Sequence, residues 1–157
     1  MRQECPALLV KALDDVASET DAGMATMLYG TLDSKRGRLQ LFNLGHPPPV
    51  VVGPSGVASY VECHHLPPLG SGLWGGITSS VCDLEPNYTL ILYTDGLVER
   101  RGEDLSAGLA RLRERVSGAH RRPAAEICDM LFDRQMRDGG PQDDTTVLVL
   151  RMGEDPQ

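Results

Sequence analysis

Residues 90–104 read LILYTDGLVERRGED, an apolar run that ends in an acidic residue and a glycine. The unbroken apolar side chains at 90–93 predict a strand with a central position in a sheet. Asp95 then falls where that strand stops. Gly96 follows directly, and a residue without a Cβ lets the backbone approach a bound ion closely. The stretch therefore predicts an acidic side chain held at the end of a buried strand.

A second acidic position lies directly before another apolar run. Asp143 and Asp144 precede TTVLVLR at 145–151, which predicts an interior strand. Neighbouring strands can bring both acidic positions to one end of a sheet, and Mg and Mn prefer carboxylate oxygens. The residues alone leave two readings open, a divalent-metal site or ordinary turns, because Asp and Gly are the usual residues of turns.

The rest of the chain predicts a mixture of helices and strands. A helix with an apolar stripe at Leu9, Leu13 and Val16 is expected over 6–17, since these positions share the spacing of one helix face. A β-hairpin should follow, with the sequence SKRG as its turn. Further strands are expected at 50–52, 57–62, 77–84 and 88–95, a loop at 64–76, and helices that begin near Glu103 and at Pro123.

Composition limits the classes of function. The length of 157 residues predicts one domain spanning 1–157, and the net charge of −7 argues against nucleic-acid and membrane partners. No apolar run approaches the roughly 20 residues that span a bilayer, which indicates a cytoplasmic protein. The four cysteines form no CxxC pair, so reduced thiols are expected.

Four stretches in order resemble the phosphatase domain of the sporulation stage II protein E family, a bacterial branch of the metal-dependent type 2C serine/threonine protein phosphatases. They are FNLGHPPPVVV at 42–52, LPPLG at 66–70, LILYTDGLVERRGED at 90–104 and DDTTVLVL at 143–150. The resemblance implies an α+β fold, a sandwich of two mainly antiparallel sheets flanked by helices. It also implies hydrolysis of phosphoserine or phosphothreonine with two Mg or Mn ions.

By this resemblance, Asp95 and Asp143 match metal ligands of the family, with Asp144 and the backbone of Gly96 as further candidates. The ions would clamp phosphoryl oxygens and activate water, so no covalent phosphoenzyme is expected. The usual substrates in the family imply a phosphorylated anti-sigma-factor antagonist as the protein partner, and a role in bacterial transcriptional regulation.

Three further residues are candidate substrate contacts. Gly45 and His46 lie beside the site in the resemblance, where the histidine either faces phosphate or is hydrogen-bonded in a turn. Arg100 belongs to a charged stretch that is either a solvated helix entrance or a clamp for substrate phosphate.

One family motif, Gly-Asp-Val-x-Gly-His-Gly, has no match before Asp95. We expect the fold to lack its first strands, metal binding to be weak and activity low, because affinity for hard ions depends on the number of carboxylates. The alternative function is a catalytically inactive module that binds a regulatory protein. Open sheet edges would also favour a homodimer or strand exchange.

Overall fold

The computed structural model describes residues 6–20, 23–72, 76–137 and 143–153. The helices are α1 (Pro6–Glu19), α2 (Leu105–Val116) and α3 (Ala124–Arg137), with short 3-10 turns at Asp95–Leu97 and Ala119–Arg121. The strands are β1 (Met27–Asp33), β2 (Arg38–Leu44), β3 (Val50–Val52), β4 (Ala58–Tyr60), β5 (His65–Leu66), β6 (Ser80–Asp83), β7 (Thr89–Tyr93) and β8 (Val147–Arg151). The predicted α+β class with two mainly antiparallel sheets is confirmed.

The chain divides into two compact units. One comprises Met1–His46 and Glu62–Asp83 and is called the hairpin unit; the other comprises Pro47–Val61 and Leu84–Gln157 and is called the acidic-turn unit. The expectation of a single domain over 1–157 stays a prediction.

The hairpin unit is built around the predicted β-hairpin. β1 and β2 pair in antiparallel register from Met27↔Leu44 to Asp33↔Arg38. The Asp33 side chain closes the turn by accepting the backbone N–H groups of Lys35 at 3.1 Å and Arg36 at 3.2 Å. The other edge of β2 pairs with β6 along its first half and with β5 along its second. The turn sequence therefore fixes the register as expected.

The acidic-turn unit has one antiparallel sheet in the order β4-β3-β7-β8. The central position predicted for β7 is confirmed, because it pairs with β3 on one side and with β8 on the other. Side chains of β3 and β7 form one apolar core with those of α2 and α3. Its largest fully buried members are Val50, Val52, Ile91, Val98, Val116, Ile127 and Leu131.

The first helix forms as predicted, but its apolar stripe does not pack within its unit. Leu9 is 45% exposed, Leu13 37% and Val16 59%. The face that packs carries Val10 and Asp14, both almost fully buried. The spacing of the apolar residues predicted the helix correctly but did not predict which of its faces packs.

Two strands differ from the prediction. β8 is at the end of its sheet rather than inside it, since among the described residues it pairs only with β7, and Leu148 and Leu150 are exposed. β5 lies within the stretch predicted as a loop and pairs in parallel with Asn43 and Leu44. Two residues are too few to show a strand pattern in the sequence.

None of the helices in the described parts of the chain combines the length and the apolar character needed to cross a membrane.

Candidate metal centre

The two acidic motifs meet in the acidic-turn unit, and Thr94 joins them. Its backbone N–H donates to the Thr146 carbonyl at 3.1 Å, and its hydroxyl accepts the Thr146 N–H at 2.9 Å. The same hydroxyl donates to the Asp144 carbonyl at 3.1 Å. Sequence reasoning missed Thr94. The only signal was its place directly before Asp95.

Gly96 brings the backbones of the two motifs into contact. A Cβ on this buried residue would lie 2.7 Å from the Asp144 carbonyl oxygen and 3.0 Å from that of Asp143. It would also lie 2.9 Å from the Thr145 hydroxyl. Backbone atoms cannot yield to such a contact cheaply, so a glycine is required here. Its need for close approach was predicted, but the neighbour that the structure shows is the chain at 143–145. Its role as a backbone ligand stays a prediction.

In each of the two candidate ligands, one carboxylate oxygen accepts a hydrogen bond from the backbone N–H of the next residue. Asp95 Oδ1 accepts the Gly96 N–H at 2.8 Å, and Asp143 Oδ1 accepts the Asp144 N–H at 2.7 Å. Asp95 opens the 3-10 turn and is partly exposed, whereas Asp143 and Asp144 are exposed. These short local bonds fix the direction of each carboxylate before any ligand is bound.

A cavity of about 210 Å³ lies at this position. It is lined by Gly96, Glu99, Arg100, Arg101 and Asp143. The structure thus brings Arg100 and Asp143 to one cavity, and their roles as phosphate contact and metal ligand stay predictions. A carboxylate beside two guanidinium groups can accommodate both a cation and the oxygens of a phosphate.

The donor chemistry fits Mg²⁺ or Mn²⁺, but the number of side chains is small. Carboxylate and carbonyl oxygens of Asp95, Asp143 and Asp144 are the hard donors that these ions prefer. However, no group of three or more His, Cys, Asp or Glu side chains able to hold a metal occurs within the described residues. Metal binding by Asp95, Asp143 and Asp144 stays a prediction.

Gly45 and His46 belong to the hairpin unit, where a buried amide holds them. The Oδ1 atom of Asn43 accepts the His46 N–H at 2.8 Å, and His46 Nδ1 lies 3.3 Å from the Thr26 hydroxyl. Gly45 has a φ of 70° and packs on Pro68, whose Cγ would lie 2.8 Å from a Cβ. His46 is thus hydrogen-bonded in a turn, one of the two predicted readings. Its contact with phosphate stays a prediction.

Three of the four cysteines lie in the described part of the chain. Cys63, Cys82 and Cys128 are free thiols, as expected, and Cys5 lies outside the described residues. Burial raises the pKa of the Cys82 thiol, with smaller contributions from Asp83 and Cys63. A raised pKa keeps the thiol protonated and unreactive.

The fold is the one found in solved PP2C phosphatase domains such as that of SpoIIE from Bacillus subtilis. Residues 1–153 match the family described as Stage II sporulation protein E (SpoIIE), and the chain belongs to this family.

Three solved structures illustrate the similarity. The RsbU and RsbW domains of a Mycobacterium tuberculosis protein are 32% identical, with a TM-score of 0.84 over 98% of this chain and 44% of that one. The manganese-presoaked SpoIIE phosphatase domain of Bacillus subtilis is 19% identical, with a TM-score of 0.70 over 99% of this chain and 69% of that one. RsbX in complex with magnesium is 16% identical, with a TM-score of 0.68 over 96% and 66%. This chain therefore spans less than half of the M. tuberculosis chain.

Proposed function

We propose that this chain is the metal-binding part of a serine/threonine protein phosphatase that hydrolyses phosphoserine or phosphothreonine. The observation that carries the proposal is the direct contact between the Asp95 turn and the segment that begins at Asp143. Thr94 and Gly96 create that contact, and Gly96 and Asp143 both line the cavity.

Asp95 and Asp143 would hold Mg²⁺ or Mn²⁺, with Asp144 beside them. When bound, the ion would neutralise charge on the phosphoryl oxygens and activate water near neutral pH. Arg100 would hold phosphate oxygens with its guanidinium group, which matches their geometry. Gly45 and His46 are retained as further proposed substrate contacts.

The proposed substrate is a phosphorylated anti-sigma-factor antagonist, which would place the activity in the cytoplasm. Support comes from the family and from the M. tuberculosis relative, in which RsbU and RsbW domains occur in one structure.

A homodimer is proposed as well. β8 pairs on one side only within the described chain, and an open strand edge can recruit a second copy. A light-scattering mass that stays monomeric at every concentration would contradict the dimer.

The phosphatase is tested by Mn²⁺-dependent hydrolysis of a phosphoserine peptide, together with calorimetric titration of Mn²⁺. We expect D95N and D143N to abolish turnover and to weaken Mn²⁺ binding by roughly 10–100-fold or more, since even outer-shell partners of a metal contribute that much. D83N is the matched control, because Asp83 is an exposed carboxylate on β6 of the hairpin unit.

The same assay decides between the two candidate functions. A folded wild-type sample that hydrolyses nothing at millimolar Mn²⁺ would contradict the phosphatase and favour the inactive binding module. The observation that favours this second function is the small number of acidic side chains at the centre among the described residues.

A further inference from the structure

The two arginines that line the cavity lie on a short segment whose two ends are held by one side chain. Arg100 and Arg101 stand between Val98 and Glu103. From α2, Arg111 donates through Nη1 to both carboxylate oxygens of Glu103, at 2.6 Å and 2.7 Å, and through Nη2 to the Val98 carbonyl at 3.1 Å. One guanidinium group therefore fixes both ends of the segment.

The ion pair is only partly shielded from solvent, since Glu103 lies on an exposed position. The Arg111 side chain is only 19% exposed, and that of Glu103 is 32% exposed. The backbone of α2 also lies directly against the turn, because a Cβ on Gly108 would overlap the Val98 carbonyl group. Because Nη1 bonds Glu103 and Nη2 bonds Val98, the one planar guanidinium group links the two partners through charge-assisted hydrogen bonds.

The segment itself is a tight turn. The N–H groups of Val98 and Glu99 both donate to the Asp95 carbonyl at 2.8 Å, and the Glu103 N–H donates to the Arg100 carbonyl at 3.1 Å. The backbones of Glu103 and Arg100 are thus hydrogen-bonded to each other. The bond between Glu103 and Arg111 is thus coupled directly to the backbone that carries the cavity arginines.

We propose that Arg111 is a positioning residue that sets Arg100 and Arg101 at the cavity and thereby determines affinity for the phosphorylated substrate. This inference rests on the proposed function of the cavity. Arg111 is not among the residues that line the cavity, so its effect passes through the segment. An arginine is needed because only its planar fork reaches a carboxylate and a carbonyl together.

The proposed metal ligands are also held by contacts that do not involve Arg111. Asp95 and Asp143 are held by Thr94, by Gly96 and by the pairing of β7 with β8. Loss of Arg111 should therefore raise the KM for a phosphopeptide and leave both kcat and the affinity for Mn²⁺ nearly unchanged. A general structural role would instead lower all three together.

The experiment uses R111M, which keeps the apolar stem, and R111K, which keeps the charge without the fork. E103Q removes the charge of the partner, and R113M is the matched control on an exposed position of α2. Four quantities are measured: amide hydrogen exchange at 99–102, the Kd for Mn²⁺, and kcat and KM for a phosphoserine peptide.

We expect R111M to raise KM roughly tenfold, the effect of losing one charge-assisted contact, and to accelerate exchange at 99–102. R111K and E103Q should show smaller changes in the same direction, and R113M none. Unchanged exchange and KM in R111M would overturn the proposal, as would a parallel loss of Mn²⁺ affinity.

If R111M does not fold, R111K and E103Q decide the question. If the wild-type chain hydrolyses nothing, the proposed function fails separately, and hydrogen exchange is then read with the Kd for inorganic phosphate. Faster exchange and weaker phosphate binding in R111M would still support the positioning role, and no change in either would overturn it.

Discussion

The two units place their apolar side chains in different ways. In the acidic-turn unit, α2 and α3 bury Val116, Ile127 and Leu131 in one core with the sheet. In the hairpin unit, α1 buries Val10 and Asp14 and exposes its larger leucines. The comparison teaches that an apolar stripe predicts a helix reliably but does not predict the face by which it packs.

The two units share one local feature, a side-chain-to-backbone hydrogen bond beside a glycine, but it holds different groups in each. At Asp95 and at Asn43, a short side-chain oxygen accepts a nearby backbone N–H, and a glycine permits close packing. In the acidic-turn unit this feature joins two segments that carry carboxylates. In the hairpin unit it places Gly45, the residue before His46, against Pro68.

The largest expected effect is on the free energy of unfolding, when a buried leucine and an exposed leucine are each replaced by alanine. L131A should lower the free energy of unfolding by about 2–5 kcal/mol, because Leu131 is fully buried and its removal leaves a cavity. L9A should lower it by less than about 0.5 kcal/mol, because Leu9 is 45% exposed and alanine is a good helix former. Urea denaturation measures both. Equal losses would show that the stripe of α1 is packed in solution.

Two adjacent acids on α1 give the next largest difference. Asp14 is buried and its Oδ1 accepts the Gly70 N–H at 2.9 Å, whereas Asp15 is exposed and pairs with Lys11 at 2.8 Å. D14A should destabilise the protein by about 1.5–3 kcal/mol, the range for a hydrogen bond to a charged group. D15A should change stability little, since exposed ion pairs contribute little.

Urea denaturation and amide exchange at Gly70 check this second prediction. The Gly70 amide should exchange faster in D14A and at the wild-type rate in D15A. The reverse order of the two variants would mean that the buried face of α1 is assigned wrongly.

The smallest effect concerns acid stability of the acidic-turn unit. The hydrogen bond from Arg111 holds the pKa of Glu103 below its ordinary value of 4.5. A lowered folded-state pKa gives stability that is complete above the ordinary value and is lost as the pH falls through the folded-state pKa. Wild type should therefore be more stable than E103Q at neutral pH, and the difference should vanish in acid. Denaturation at a series of pH values measures it, and a difference that persists in acid would exclude the ion pair as its source.

Much of the fold follows from local signals. The turn SKRG lies where it was predicted, and α2 and α3 begin within two residues of the predicted Glu103 and Pro123, with Asp104 as the cap of α2. For the same reason Asp95 and Asp143 could be placed at strand ends. The face of α1, the edge position of β8 and the short strand β5 were not predicted, because each depends on which distant segment lies alongside.

The sequence by itself determined the order of the elements and the identity of the acidic motifs, since periodicity and turn chemistry are local properties. Only the tertiary structure decided that Thr94 bonds Asp144, a partner 50 positions away in the chain. It also decided that Gly96 faces the Asp143 backbone and that Arg111 holds Val98 and Glu103 together. Such contacts depend on the packing of segments far apart in sequence, and no local pattern specifies them.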